Sequence, residues 1–209
     1  MTEIRHESGL VWWPDRGMGF YPAFADGPYD QAYWDKYADY AKTPMGHELT
    51  ARRIGLVEKH ARRRPMLDVG IGAGQFIEAR NAYLGCKETC GYDVNPVAVR
   101  WLKERNLWVD PYADCVHVAS CFDSLEHMKD PARFVGRIYE VLFVSIPIFR
   151  DMEHCLASRH FRKDEHWWHF TSWGLLGWMR DQGFRLEGQN SMEVEEGRED
   201  VGTFVFRRR

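Results

Sequence analysis

The residues best suited to chemistry lie in one short segment of the chain. Asp123, Glu126 and His127 place two carboxylates and an imidazole directly after an apolar run. Histidine exchanges protons near neutral pH, so His127 is a candidate for removing a proton from an acceptor group. Alternatively, Glu126 and His127 only stabilise their loop by hydrogen bonds. The sequence leaves both interpretations open.

A second segment, residues 66–76, carries glycines at alternate positions, Gly70, Gly72 and Gly74, behind a short apolar strand. Glycines permit a tight turn and let the backbone approach a ligand closely. We predict that a helix begins after the turn and directs its free backbone N–H groups at the ligand. A nicotinamide or flavin cofactor would also fit such a turn. The turn could equally be a tight strand-to-helix connection that binds no ligand.

Two acidic residues narrow the choice of cofactor. Asp68 precedes the first glycine by two residues. A negative charge there is unfavourable beside a pyrophosphate but suits the cationic ammonium or sulfonium of S-adenosylmethionine. Asp93 follows the next predicted strand, where its carboxylate can accept both ribose hydroxyls. It could instead cap a helix that begins near Pro96.

The elements that must position these residues alternate between strand and helix. We predict strands at residues 66–69, 88–92, 108–110, 116–122 and 141–146, with helices at 74–82, 96–104 and 131–139. Such alternation produces a parallel sheet with helices on both faces. Two final strands, at 184–191 and 203–207, predict an antiparallel hairpin. The expected fold is therefore α/β, a doubly wound, Rossmann-like and mostly parallel seven-stranded sheet.

These motifs resemble those of the class I S-adenosylmethionine-dependent methyltransferases. Residues 66–76, 91–95, 122–127 and 146–147 are similar to the family's motifs in the same order, and the likeness spans roughly residues 45–207. It is closest to the group with an Asp/Glu-x-x-Glu-His element after the fourth strand. We therefore expect an N-terminal arm and cap helix at 1–44, with residues 1–28 irregular. A methyltransferase domain at 45–209 would follow, with a lid or insertion at about 149–170.

The resemblance implies which residues contact the cofactor and its product, S-adenosylhomocysteine. They are Asp68, Gly70, Gly72, Gly74, Gln75, Asp93, Val94, Asp110 and Phe122. Asp68 and the glycines would surround the methionine portion, Asp93 the ribose and Val94 the adenine. Asp110 would contact the adenine amino group, unless it is a plain turn residue before Pro111.

The same resemblance favours Asp123, His127 and His166 as catalytic residues. His166 belongs to the histidine- and tryptophan-rich segment at 149–170. Some relatives hold a divalent cation with a Glu-x-x-Glu-His form of the element. Asp123, Glu126, His127 and His166 are therefore an alternative set of oxygen and nitrogen ligands for Mg, Mn or Zn. We expect no metal, because the first acid here is the shorter aspartate.

Composition restricts the class of acceptor and the compartment. The 209-residue chain has a formal net charge of −3 and no basic stripe, which argues against a general nucleic-acid binder. We expect methyl transfer to an O, N or C atom of a small molecule. The alternatives are an RNA or other nucleic-acid methyltransferase, and a cofactor-binding pseudoenzyme. Five cysteines without a secreted pattern, and no apolar run of about 18 residues, predict a cytoplasmic protein without a membrane segment.

Overall fold

A computed structural model describes residues 2–22, 29–113, 115–163 and 165–209. The strands in these ranges are β1 (Ile4–Arg5), β2 (Val11–Trp13), β3 (Met18–Phe20), β4 (Met66–Val69), β5 (Thr89–Tyr92), β6 (Val116–Phe122), β7 (Ile138–Phe149), β8 (Trp168–Thr171), β9 (Phe184–Asn190) and β10 (Val201–Arg208). The helices are α1 (Gln31–Ala41), α2 (Pro44–His60), α3 (Gln75–Leu84), α4 (Pro96–Glu104), α5 (Pro131–Val135), α6 (Met152–Ala157), α7 (Ser172–Asp181) and α8 (Met192–Glu195). Within the described ranges, no helix is long and apolar enough to span a bilayer.

The chain divides into two compact units. We call the first the glycine-loop unit; its described residues lie within 29–122 and 136–143. We call the second the histidine unit, and its described residues lie within 2–22, 123–135 and 144–209. Strand β7 begins in the first unit and ends in the second. The predicted division of the chain at residue 44 stays a prediction.

The glycine-loop unit is built on parallel strands. β4 pairs in parallel with β5 on one side and β6 on the other, and the start of β7 follows β6 in the strand order. All four residues of β4 are buried, as expected for a central strand covered on both faces. The predicted strand at 108–110 is reduced to one bridge between Gly91 and Trp108. The predicted helix at 131–139 ends at Val135, because the apolar run from Ile138 onward joins the sheet as β7.

A buried arginine ties α3 to its surroundings in this unit. The side chain of Arg80 is fully buried, and its guanidinium donates to the Glu58 carboxylate at 2.9 Å and to Thr89 Oγ1 at 2.8 Å. It also donates to the backbone oxygen of Arg64 at 3.0 Å. A buried charge is tolerated only when it is paired and hydrogen-bonded in this way. The helix that follows the glycine turn is thereby held against α2 and β5.

The histidine unit contains antiparallel strands that the sequence pattern did not indicate. β1, β2 and β3 form an antiparallel meander, and β3 pairs antiparallel with β8. The expectation of an irregular arm is therefore wrong for residues 2–22. Gly17 makes the turn into β3 with a φ of 58°, and a Cβ there would lie 2.3 Å from Thr171 Oγ1. Only glycine fits this close approach. The contact joins residues far apart in the chain, so the local pattern of Gly, Pro and aromatic residues did not indicate it.

The segment expected as a lid contains α6 and β8, and β8 pairs in parallel with the end of β7. The predicted C-terminal hairpin is confirmed, because β9 and β10 pair antiparallel over six registered positions. β10 also pairs with β7. The α/β, Rossmann-like fold class is confirmed, and the three N-terminal strands extend it beyond the predicted seven.

Candidate active site

The glycine turn connects β4 to α3, as predicted. Gly70, Gly72 and Gly74 all have positive φ angles, of 77°, 57° and 79°. Gly74 is also the N-cap of α3, and a Cβ there would lie 2.5 Å from Cη2 of Trp101. Both the left-handed backbone and the packing therefore demand glycine at this position. The N-cap of α3 therefore carries no side chain. The free N–H groups at such a helix N-terminus can bind polar groups of a ligand.

Asp93 joins the glycine turn to the end of β5. Its Oδ2 accepts a hydrogen bond from Ile71 N and its Oδ1 accepts one from Asn95 N, each at 2.8 Å. The N-cap of α4 is Asn95, whose side chain accepts from Val97 N at 2.9 Å. Asp93 is therefore not the cap of that helix. Burial raises the pKa of Asp93, while the backbone N–H groups of Asn95 and Ile71 oppose that rise.

Asp68 is buried in β4 beside β6. Its Oδ1 accepts a hydrogen bond from Ser120 Oγ at 2.6 Å. Burial raises the pKa of Asp68 to about 7, although the Ser120 hydrogen bond and the charge of Arg53 oppose the shift. The Arg53 guanidinium lies 4.6 Å from the centre of the Phe122 ring. The carboxyl group of Asp68 therefore gains or loses its proton near neutral pH.

The remaining predicted cofactor residues have varied settings. Gln75 Nε2 donates to the backbone oxygen of Ala41 at 2.8 Å, which fastens the start of α3 to the end of α1. Val94 is 61% exposed and leaves an apolar surface beside Asp93. Asp110 Oδ1 accepts from Tyr112 N at 2.9 Å. This contact is the one expected if Asp110 is a turn residue before Pro111. Phe122 packs edge-on against Phe76, with ring centres 5.3 Å apart.

Helix α1 lies beside the glycine turn. The sequence alone did not decide where this helix lies. A Cβ at Gly72 would lie 3.6 Å from Cδ1 of Tyr37, and the rings of Trp34 and Trp101 are 5.9 Å apart. Asn95 Nδ2 also donates to the backbone oxygen of Asp30 at 3.1 Å. Tyr37 of α1 therefore lies beside the glycine turn, and Trp34 packs near Trp101.

The histidine unit brings together three side chains from two distant segments. Glu126, His127 and His166 each offer a ligand atom, and these atoms lie within 4.8 Å of one another. The rings of His127 and His166 are 4.6 Å apart, and His169 lies 6.1 Å beyond His166. A backbone hydrogen bond from Trp167 N to the Glu126 oxygen, at 2.9 Å, joins the two segments. We call Glu126, His127, His166 and His169 the histidine cluster.

Several polar atoms of the histidine cluster are buried without a hydrogen-bond partner. Within the described part of the chain, these are Oε2 of Glu126, Nδ1 of His166 and both ring nitrogens of His169. Their residues are 1%, 4% and 1% exposed. Burial raises the pKa of Glu126 well above its usual range and lowers that of His127 to about 4. It also lowers the pKa of His166 and takes that of His169 to about 3.

Asp123 is held by an arginine that is not part of this cluster. Arg198 donates to both of its oxygens, from Nη1 at 2.8 Å and from Nη2 at 2.9 Å. The same guanidinium contacts the fully buried carboxylate of Glu193 at 2.5 Å. Asp123 also has a positive φ of 61°, unusual for a non-glycine residue. These carboxylates keep the pKa of Arg198 above its ordinary value despite burial. No sequence motif indicated Arg198 or Glu193.

A family model described as a methyltransferase domain matches residues 37–189. The chain therefore belongs to this family, and it is a class I S-adenosylmethionine-dependent methyltransferase, as its motifs predicted. No curated protein matches the sequence.

Solved structures share the fold at low sequence identity. Magnesium protoporphyrin IX methyltransferase from Synechocystis PCC 6803, with bound S-adenosylhomocysteine, is 10% identical with a TM-score of 0.62; the alignment covers 87% of this chain and 96% of that one. A methyltransferase from Thermotoga maritima, described as a possible histamine N-methyltransferase, is 12% identical with a TM-score of 0.57, over 85% and 97% of the chains. The [4+2]-cyclase SpnF is 16% identical with a TM-score of 0.54, over 88% and 98%.

Proposed function

We propose that this protein transfers a methyl group from S-adenosylmethionine to an O, N or C atom of a small-molecule acceptor, and that the glycine-loop unit binds the cofactor. The observation that carries the cofactor assignment is the glycine turn between β4 and α3, bracketed by Asp68 and Asp93. Asp68 supplies a buried carboxyl group before the turn. Asp93 supplies a second one, hydrogen-bonded to the turn itself.

Each part of the cofactor has a chemically suited group in this unit. A carboxylate has about four lone-pair sites, so Asp93 can accept from the ribose hydroxyls in addition to its hydrogen bonds from Ile71 N and Asn95 N. Asp68 attracts the cationic ammonium or sulfonium. The glycines and Gln75 surround the methionine portion, and Phe122 closes this end. Val94 offers its exposed apolar surface to the adenine. Asp110 contacts the adenine amino group from its turn.

The catalytic assignment rests on the histidine cluster. Methyl transfer is a displacement at a carbon already activated by the sulfonium, so the protein mainly positions the acceptor and helps it lose a proton. His127 and His166 activate the acceptor group in this proposal. Asp123 begins the segment that carries His127, and Arg198 fixes its carboxylate, so we assign Asp123 a positioning role.

A small acceptor agrees better with the charges than a nucleic acid does. The net charge is −3, and the sequence has no basic stripe to follow a phosphate backbone. The solved neighbours do not identify the acceptor, since their names include a porphyrin methyltransferase and a cyclase. Nucleic-acid methylation and a cofactor-binding pseudoenzyme remain the alternatives.

Cofactor binding is tested by calorimetry with S-adenosylhomocysteine. Replacing Asp93 by Ala should weaken binding about 100-fold, because charge-assisted hydrogen bonds contribute about 1.5 kcal/mol or more each. Asp39→Ala is the matched control, since Asp39 is an exposed carboxylate on α1 that forms an ion pair with Lys42. Binding of NAD in place of S-adenosylhomocysteine would refute the cofactor assignment.

The acceptor class is tested by incubating the protein with methyl-labelled cofactor and fractionated cell extract. Label should enter a low-molecular-weight fraction. Label in RNA would support the nucleic-acid alternative instead. Absence of label from every fraction, by a protein that still binds S-adenosylhomocysteine, would favour the pseudoenzyme.

A further inference from the structure

We propose that Glu126, His127 and His166 bind one divalent transition-metal ion within the histidine unit. The inference deepens the proposed function, because an ion there would be the means by which the cluster activates an acceptor. The binding of the ion itself does not depend on that function. It rests on the side chains of the cluster and their surroundings.

The first argument is convergence. One carboxylate oxygen and two imidazole nitrogens, contributed by Glu126, His127 and His166, lie within 4.8 Å of one another. Small adjustments bring such a group to metal–ligand distances of about 2.0–2.2 Å. Glu126 and His127 share one rigid turn, and the hydrogen bond from Trp167 N to Glu126 O fixes the segment of His166 beside it. The backbone thus holds the ligands in place from both sides.

The second argument is the unsatisfied bonding capacity of the cluster. Oε2 of Glu126 and Nδ1 of His166 are buried without a partner among the described residues, and both side chains are more than nine-tenths buried. Polar atoms in protein interiors are normally hydrogen-bonded, so adjacent orphans call for a missing partner. His169 places two more unpartnered nitrogens beside His166. A cation would satisfy a carboxylate and imidazoles together.

The third argument concerns which ion fits. The ligand atoms that converge do not include those of Asp123, both of whose oxygens accept hydrogen bonds from Arg198. The ligand set is therefore two nitrogens and one oxygen, rather than the two carboxylates and two histidines that the sequence alone allowed. Imidazole ligands suit Zn, Fe, Co or Ni, whereas Mg and Ca require mostly oxygen. Three protein ligands also leave coordination positions for an oxygen or nitrogen of an acceptor.

The test uses the full chain after dialysis against a chelator. We expect it to bind one Zn(II) or Co(II) per chain by elemental analysis, with a visible Co(II) absorption band that Zn(II) displaces. Mg(II) should raise the midpoint of thermal unfolding far less than Zn(II) or Co(II) does at the same concentration. An equal response to Mg(II), or no stoichiometric binding of Zn(II) or Co(II), would overturn the proposal.

Variants locate the ion. His166→Gln and Glu126→Gln should each weaken Co(II) binding about 100-fold or more, whereas His117→Gln, at an exposed histidine of β6, should not. Circular dichroism checks that each variant is folded, and Asp123→Asn provides a second readout, because binding should persist without this carboxylate. Unchanged Co(II) affinity in folded His166→Gln would refute the assignment. S-adenosylhomocysteine binding, measured in the same samples, separates this failure from failure of the proposed function.

Discussion

The guanidinium of Arg198 holds both carboxylate oxygens of Asp123, at 2.8 and 2.9 Å, across 75 positions of sequence. It bonds the buried Glu193 as well. One guanidinium therefore pairs with two acids and orients the residue that begins the Asp123–His127 segment. A planar, bidentate contact of this kind cannot be reproduced by lysine.

Replacing Arg198 by Ala should lower the free energy of unfolding by about 3 kcal/mol, because Glu193 would keep a buried charge without its main counter-ion. Urea unfolding of the folded protein measures this loss. The double variant Arg198→Ala/Glu193→Gln removes the stranded charge, so it should recover part of the loss. If the single and double variants are equally destabilised, the ion pair with Glu193 is not the cause.

Cofactor affinity should depend on pH through Asp68, whose pKa is raised by burial to about 7. Below this pH the carboxyl group is neutral and does not attract the ammonium group of the ligand, so binding of S-adenosylhomocysteine should strengthen with rising pH, by up to about tenfold per unit, and level off above pH 7. Calorimetry across this range measures the slope. Asp68→Asn should flatten that part of the profile; an unchanged slope in the variant would assign the dependence to another group.

The same group makes a prediction about the ligand-free protein. Because the folded state binds the Asp68 proton more tightly than the unfolded state does, its contribution to stability is full below the unfolded pKa of 3.8. That contribution is lost as pH rises through about 7. Chemical unfolding at several pH values should show the free energy of unfolding falling less steeply over this window in Asp68→Asn than in the parent chain. Parallel curves would mean that the charge of Asp68 is not linked to folding.

Gly74→Ala should destabilise the protein by about 1–3 kcal/mol, since the backbone there has a φ of 79° that alanine adopts with strain. The new Cβ would also meet Trp101 at 2.5 Å. Thermal unfolding measures the total. Adding Trp101→Ala separates the two causes, because it removes the collision but not the backbone strain. Gly55→Ala, where nothing lies within 4 Å of the new Cβ, is the control.

Thr171 should contribute through its hydroxyl group. Its Oγ1 donates to the backbone oxygen of Gly17 at 3.0 Å and accepts from Gly174 N at 3.0 Å, which caps α7. Thr171→Val should therefore lower the free energy of unfolding by about 1–2 kcal/mol. Thr171→Ser retains the hydroxyl and should lose less. Equal losses in both variants would point to the methyl group and its packing instead.

Several elements could be predicted because their causes are local. The glycine turn follows from backbone conformations that side chains oppose, and the alternation of strands and helices follows from the period of apolar residues. Thr171 caps α7 by accepting a hydrogen bond from Gly174 N, only three positions along the chain, which is a local cause as well. The N-terminal strands were missed because they have only two or three residues each. In addition, β3 joins the rest of its sheet through β8, which lies far along the chain and gives no local signal.

By itself, the sequence determined the class of protein, through the order and spacing of the motifs around Asp68 and Asp93, which are properties of the linear chain. The tertiary structure alone decided how the predicted group of Asp123, Glu126, His127 and His166 is divided. It directed Asp123 to Arg198, and it brought Glu126 and His127 to His166. The physical reason is that a side chain's charge, burial and bonding partners depend on what distant segments place beside it. Residue type and spacing do not record that information.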